Sequence, residues 1–254
     1  MDTDGDRHKE KMQKIKAARD KMMEQRQGEK GLVNVHTGPG KGKSSSGFGM
    51  IMRCIAHKMT CAVVQFIKGA WDTGERRLLT ENFGDLCPFH ALGEGFTWEN
   101  PNRARDIAAA RAGWEKAKEL IRDPQIRMVL LDEINIALRY EYLDVEEVVA
   151  FLRDEKPEMT HVVLTGRNAA EALIEFADLV TEMTLVKHPF RSGIQARAGI
   201  AFYSPPCGFR AAARRAPRSP RPPRPPRHRA RAPRRAGPPP GPRTPGSRRP
   251  ASAR

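Results

Sequence analysis

Residues 32–49, LVNVHTGPGKGKSSSGFG, decide the reading of the fold. An apolar, β-branched run (Leu32-Val33-Asn34-Val35-His36) gives way to Thr37-Gly38-Pro39-Gly40-Lys41-Gly42-Lys43-Ser44, and a helical pattern opens at Ser45-Ser46-Gly47. Strand, glycine loop and helix in that order are the layout of a phosphate-binding loop. Glycines let backbone N–H groups close on one anion where a Cβ would block the approach. The helix N-terminus adds its dipole and its unpaired donors at the same spot. Gly38, Pro39, Gly40, Lys41, Gly42, Lys43, Ser44 and Ser45 are therefore the candidate nucleotide-binding residues. Lys43 supplies a full positive charge, and the Ser44 hydroxyl suits the Mg²⁺ that rides on a nucleotide. Three residues lie between Gly38 and Gly42 where the common pattern has four, so the loop is a variant.

A second signal lies downstream. Met128-Val129-Leu130-Leu131-Asp132-Glu133 is an apolar run ending in two acids. A strand would place both carboxylates at its C-terminal end, where open α/β sheets bind ligands. Asp132 is suited to orienting Ser44 and metal-bound water, and Glu133 to ligating Mg²⁺ directly or polarising an attacking group. His161–Arg167 (HVVLTGR) carries Gly166-Arg167 at the tip of another strand. Arg167 there reaches either a phosphate or ribose, or only a surface acid. In Gly93-Glu94-Gly95-Phe96-Thr97-Trp98 two aromatics sit on a glycine-flanked loop. Composition favours a core role for them, with a platform for a large flat ligand as the alternative.

Charge is unevenly distributed. The 254 residues carry a net +15, but residues 204–254 hold 15 arginines and no acid, so residues 1–203 balance at 30 basic against 30 acidic side chains. The same stretch holds 15 of the 21 prolines, a composition that predicts disorder. Nucleic-acid binding through the body is disfavoured, because no basic patch with interleaved aromatics is present there. Cys54, Cys61, Cys87 and Cys207 show no metal-ligand or disulfide spacing. No run suits a signal core or a membrane span, which predicts a cytoplasmic protein without membrane association.

Along the chain, residues 7–28 read as a charged helix with Met12, Ile15, Ala18 and Met22 on a narrow apolar stripe. Helices follow at 44–58, 75–83, 103–122, 145–154 and 168–177. Strands are expected at Cys61–Ile67, Phe89–Leu92, Met128–Leu131, His161–Thr165, Leu179–Glu182 and Ile194–Tyr203. This alternation predicts an α/β fold: a mostly parallel sheet with helices on both faces, preceded by an N-terminal helix. The expected parts are that helix (1–30), a nucleotide-binding domain (31–203) and an Arg/Pro-rich tail (204–254).

TGPGKGKSS, VVQFIKGAWDTGER, GEGFTW, VLLDEINIALRYEYL, HVVLTGRN and LVKHPFRSGIQARAGI occur in that order. Together they resemble the P-loop corrinoid adenosyltransferases of cobalamin biosynthesis, over residues 7 to 203. The resemblance implies a RecA-like P-loop NTPase fold and transfer of the 5′-deoxyadenosyl group of ATP to a Co(I) corrinoid, with triphosphate leaving. The corrinoid would be cob(I)yrinic acid a,c-diamide or cob(I)alamin. It further implies Lys43 and Glu133 in catalysis, Ser44 and Glu133 as ligands of Mg²⁺ (or Mn²⁺), to which the motif reading adds Asp132 at the metal, and Phe96 and Trp98 under the corrin ring. A homodimer, a reductase supplying Co(I), and an N-terminal helix that closes over the site are implied as well. A P-loop ATPase or kinase with Glu133 as base is the competing reading of the motifs alone. Pro39 departs from the family pattern and removes one phosphate donor. Gly47 stands where alanine is common, at some expected cost in helix stability. The tail has no counterpart in the family; it is read as an extension without function, against the alternative of a salt-sensitive polyanion-binding arm.

Overall fold

Strands covered on both faces are buried along their whole length, and three of the six here are five-residue runs buried at every position. These are β1 (Val33–Thr37), β2 (Cys61–Gln65) and β4 (Met128–Asp132). With β3 (Phe89–Ala91), β5 (His161–Thr165) and β6 (Leu179–Glu182) they form one sheet in the order β3-β2-β4-β5-β1-β6, and every pairing is parallel. The structure is a computed structural model and describes residues 4–26, 28–67, 73–92, 102–195 and 199–200. The chain divides into two units at Cys207, and all described residues belong to the first.

Parallel strands need crossovers, and the helices that supply them cover both faces. On one face α2 (Lys43–Ala56) and α3 (Gly74–Asn82) bury Phe48, Ile51 and Leu79 against Cys61, Val63, Leu130 and Val163. On the other, α4 (Arg103–Arg122), α5 (Ile134–Arg139), α6 (Val145–Asp154) and α7 (Glu171–Phe176) enclose a larger core around Trp114, Ile121, Phe151 and Leu152. Starts are set by side-chain caps: Asn102 accepts from the Arg105 N–H (3.2 Å) and Asp144 from the Glu146 N–H (2.8 Å). Cys54, Cys61 and Cys87 are buried free thiols of the smaller core.

The expected α/β fold with a parallel sheet is what forms, with differences in detail. The N-terminal helix α1 runs from Asp4 to Glu24, and none of its residues is buried. Its apolar stripe is open to solvent, with Met12, Ile15 and Met22 between 44% and 50% exposed. Helix α5 is not anticipated, since six residues are too few to display a helical period. The strand expected at Ile194–Tyr203 is not found among its described residues, 194–195 and 199–200; a 3-10 turn at Pro189–Ser192 precedes them. Gly93–Trp98, with Phe96 and Trp98, and the tail whose disorder was expected lie outside the described residues. Among the described residues no helix is long and apolar enough to cross a membrane.

Candidate active site

All six strands point the same way, so the ends of β1, β4 and β5 open on one edge of the sheet, and the candidate residues gather there. Gly38 (φ 94°) and Gly42 (φ 107°) adopt the left-handed backbone that lets the chain turn out of β1 and into α2. The loop then wraps the Lys43 ammonium. Nζ donates to the carbonyls of Gly38 (2.8 Å) and Gly40 (2.5 Å), and the side chain is buried. Its charge is thereby fixed under the loop. Ser44 is half-buried in the first turn of α2, while Pro39, Lys41 and Ser45 are exposed.

The loop leans on the segment after β6. The Gly40 N–H donates to the Met183 carbonyl (2.6 Å), and a Cβ on Gly40 would lie 2.5 Å from the Thr184 carbonyl oxygen. That N–H is therefore spent within the protein, and Pro39 has none to offer. The expected convergence of loop amides on an anion is left to the remaining N–H groups.

Asp132 closes β4 with its carboxylate fully buried. One oxygen accepts from Gln65 Nε2 (2.8 Å) and the other from Thr165 Oγ1 (2.8 Å). Glu133 follows at φ 63°, a left-handed conformation unusual for a residue with a side chain. Strain of about 1 kcal/mol at such a position persists where the surroundings enforce it. Here the Glu133 N–H donates to Thr165 Oγ1 (3.0 Å), and its carbonyl accepts from the Ile136 N–H (3.1 Å). Gly166 (φ 134°) and exposed Arg167 follow Thr165. Their turn is stitched to β1 by the Gly166 N–H on the His36 carbonyl (3.2 Å) and the Ala169 N–H on Thr37 Oγ1 (3.0 Å).

Register puts Gln65, Asp132, Thr165 and His36 side by side on the α2 face of four neighbouring strands. The rung forms a polar lid on the smaller core. Burial lowers the pKa of His36, whose ring also hydrogen-bonds the backbone of Lys43. The sequence reading missed Gln65, Thr165, His36 and Met183. For Gln65 and Thr165 a signal existed, a polar residue closing an apolar run (Ala62-Val63-Val64 and Val162-Val163-Leu164); His36 stands between the polar Asn34 and Thr37 and carried none. Met183 steadies the loop through its backbone carbonyl and N–H, which no residue type announces.

Hydroxyl and carboxylate oxygens are the hard donors that Mg²⁺ takes, so Ser44, Asp132 and Glu133 are of the right chemical kind for a nucleotide-bound magnesium. The model of the ATP:corrinoid adenosyltransferase family BtuR/CobO/CobP matches residues 29–202. The chain belongs to that family. A model of the cob(I)alamin adenosyltransferase N terminus matches residues 1–23 of this adenosyltransferase. A Sinorhizobium corrinoid adenosyltransferase is 68% identical over 199 residues, covering 78% of this chain and 93% of its own length. Corrinoid adenosyltransferases of Pseudomonas aeruginosa and Escherichia coli K12 are 50% and 42% identical, covering 77% and 78% of this chain and 96% and 98% of their own lengths. The enzyme is thus a transferase whose substrates are ATP and a corrinoid, and its recognition from six ordered motifs holds.

Proposed function

We propose that the glycine loop, Lys43 and the Asp132–Glu133 pair hold the triphosphate of ATP as the leaving group while a Co(I) corrinoid attacks C5′. The cobalt electron pair forms the Co–C5′ bond as the C5′–O bond breaks, and the triphosphate departs with that oxygen and the bonding pair. Negative charge grows on the leaving oxygen, so stabilisation is needed there and not on an attacking water. The observation that carries the reading is the Lys43 ammonium, held by two loop carbonyls at the mouth of α2. Ser44, Asp132 and Glu133 would hold Mg²⁺ (Mn²⁺ being the alternative), which when bound neutralises phosphate charge. Arg167, exposed at the same edge, is proposed to contact ATP.

From the family resemblance we infer that Phe96 and Trp98 pack beneath the corrin ring, displacing the lower axial ligand and easing reduction of cobalt. The same source supports a homodimer supplied with Co(I) by a reductase, and the sequence pattern supports a cytoplasmic location. The division into an N-terminal helix (1–30), a catalytic domain (31–203) and a tail (204–254) without catalytic function completes the reading. Product identity tests it. Anaerobic incubation with MgATP and chemically reduced corrinoid should yield triphosphate and a light-sensitive adenosylated corrinoid. ADP and phosphate, produced regardless of corrinoid, would overturn it in favour of an ATPase.

A further inference from the structure

Thr165 makes two contacts that no phosphate-binding motif requires. Its side chain is fully buried at the end of β5. The hydroxyl donates its one proton to Asp132 (2.8 Å) and accepts the Glu133 N–H (3.0 Å), so a single oxygen touches both acidic residues. Gln65 occupies the other oxygen of Asp132 (2.8 Å), which leaves that carboxylate no freedom to rotate without breaking a bond. Glu133 sits in a left-handed backbone, and the direction in which its side chain leaves the chain depends on that conformation. Beside this pair, Asn135 Nδ2 donates to the Gly166 carbonyl (3.2 Å), clasping the same two strand ends from the next residue pair.

We infer that Thr165 is a positioning residue that locks Asp132 and the Glu133 backbone into one rigid unit, so that the end of β4 carrying both acids keeps one fixed geometry toward the nucleotide's divalent ion. The inference rests on the proposed role of those two acids. The methyl group cannot supply this: Thr165 Cγ2 faces the α2 side, 3.4 Å from where a Cβ on Gly47 would lie. The locking belongs to the hydroxyl alone. Groups that orient a metal's ligands commonly govern metal affinity or activity by about 10–100-fold when removed.

The test compares Thr165→Val, which keeps the shape and removes the hydroxyl, with Thr165→Ser, which keeps the hydroxyl. Val163→Ala serves as a control: Val163 is buried on the same strand and face, two residues away, and does not touch the acids. Initial rates of adenosylation are measured against Mg²⁺ at saturating ATP, and against corrinoid at saturating Mg²⁺. Mn²⁺ binding to the enzyme with ATP but no corrinoid is followed by electron paramagnetic resonance, where Thr165→Val should weaken it and a parental affinity would overturn the inference. Thr165→Val should raise half-saturating Mg²⁺ and lower kcat by about 10-fold or more, leaving the corrinoid KM unchanged. Thr165→Ser and Val163→Ala should stay within about 3-fold of the parent in Mg²⁺ dependence. If the valine chain does not fold, Thr165→Ala carries the same comparison without adding an apolar atom beside Asp132. A parental Mg²⁺ response in the hydroxyl-free chain, a serine chain as impaired as the valine chain, or an equal shift in Val163→Ala would each overturn the inference. Glu133→Gln separates this failure from that of the underlying reading: if it too keeps the parental Mg²⁺ response, the role of the acid pair is wrong.

Discussion

In Glu133 a left-handed backbone and the proposed chemistry fall on one residue. Its left-handed backbone suits glycine, so Glu133→Gly should relieve strain of about 1 kcal/mol against an entropy cost of about 0.5–1 kcal/mol, leaving the chain as stable as the parent or up to about 0.5 kcal/mol more stable. A thermal scan should then show Tm unchanged or raised by up to about 2 °C while adenosylation falls at least about 100-fold. Lys43 is constrained differently. Two carbonyls grip its ammonium, and the wider guanidinium of Lys43→Arg does not fit that grip. We expect Lys43→Ala to lower kcat by about 10²–10³-fold and Lys43→Arg to recover little of it, as read from triphosphate release.

At the scale of elements, the legible and illegible parts separate by mechanism. Helix α4 was readable to the residue, because twenty residues display the period and Asn102 and Asp123-Pro124 bound it. The strands were readable because each apolar run lies between turn residues. Helix α5 was not, and neither was the contact of Gly40 with Met183, since backbone contacts across distant loops leave no mark on composition. Gly47 illustrates the limit. Its glycine looked like a small loss of helix stability, but a Cβ there would lie 2.7 Å from Leu130 Cδ1 in the packed core. The residue makes room for β4. Gly40 supplies the sharper prediction. In Gly40→Ala the added methyl would strike the backbone of residues 183 and 184, pushing the loop away from its support. The KM for ATP should rise by about 10-fold or more with the corrinoid KM unchanged, a split that steady-state kinetics can resolve.

For the whole molecule the relevant variables are pH and chain length. Burial is the leading cause that lowers the pKa of His36, His90 and His161, with Lys116 adding to it at His90, and Arg127 and Lys156 at His161. The unfolded chain takes up these protons near the ordinary histidine value of 6.5, whereas the folded chain resists them. Stability from these three is therefore full above that pH and lost as pH falls below it. Tm should decline between pH 7.5 and 5.5, and His36→Gln should flatten the decline. Length is tested by stopping the chain after Tyr203, which removes the net positive charge with the 15 tail arginines. Adenosylation rates should be unchanged at low and at moderate salt; a loss of activity would assign the tail a role.

The strand order has a consequence for synthesis. β1 and its loop are made early, yet β1 pairs with β5 and β6, the last two strands of the sheet to be translated. The carbonyl that steadies Gly40 belongs to Met183, near the end of the catalytic region. A nascent chain therefore carries the whole phosphate-loop sequence long before the loop can take its shape. Nucleotide capture is expected only once the final strand has left the ribosome and docked beside the first, and chains stopped before β6 should fail to retain ATP in a filter-binding assay.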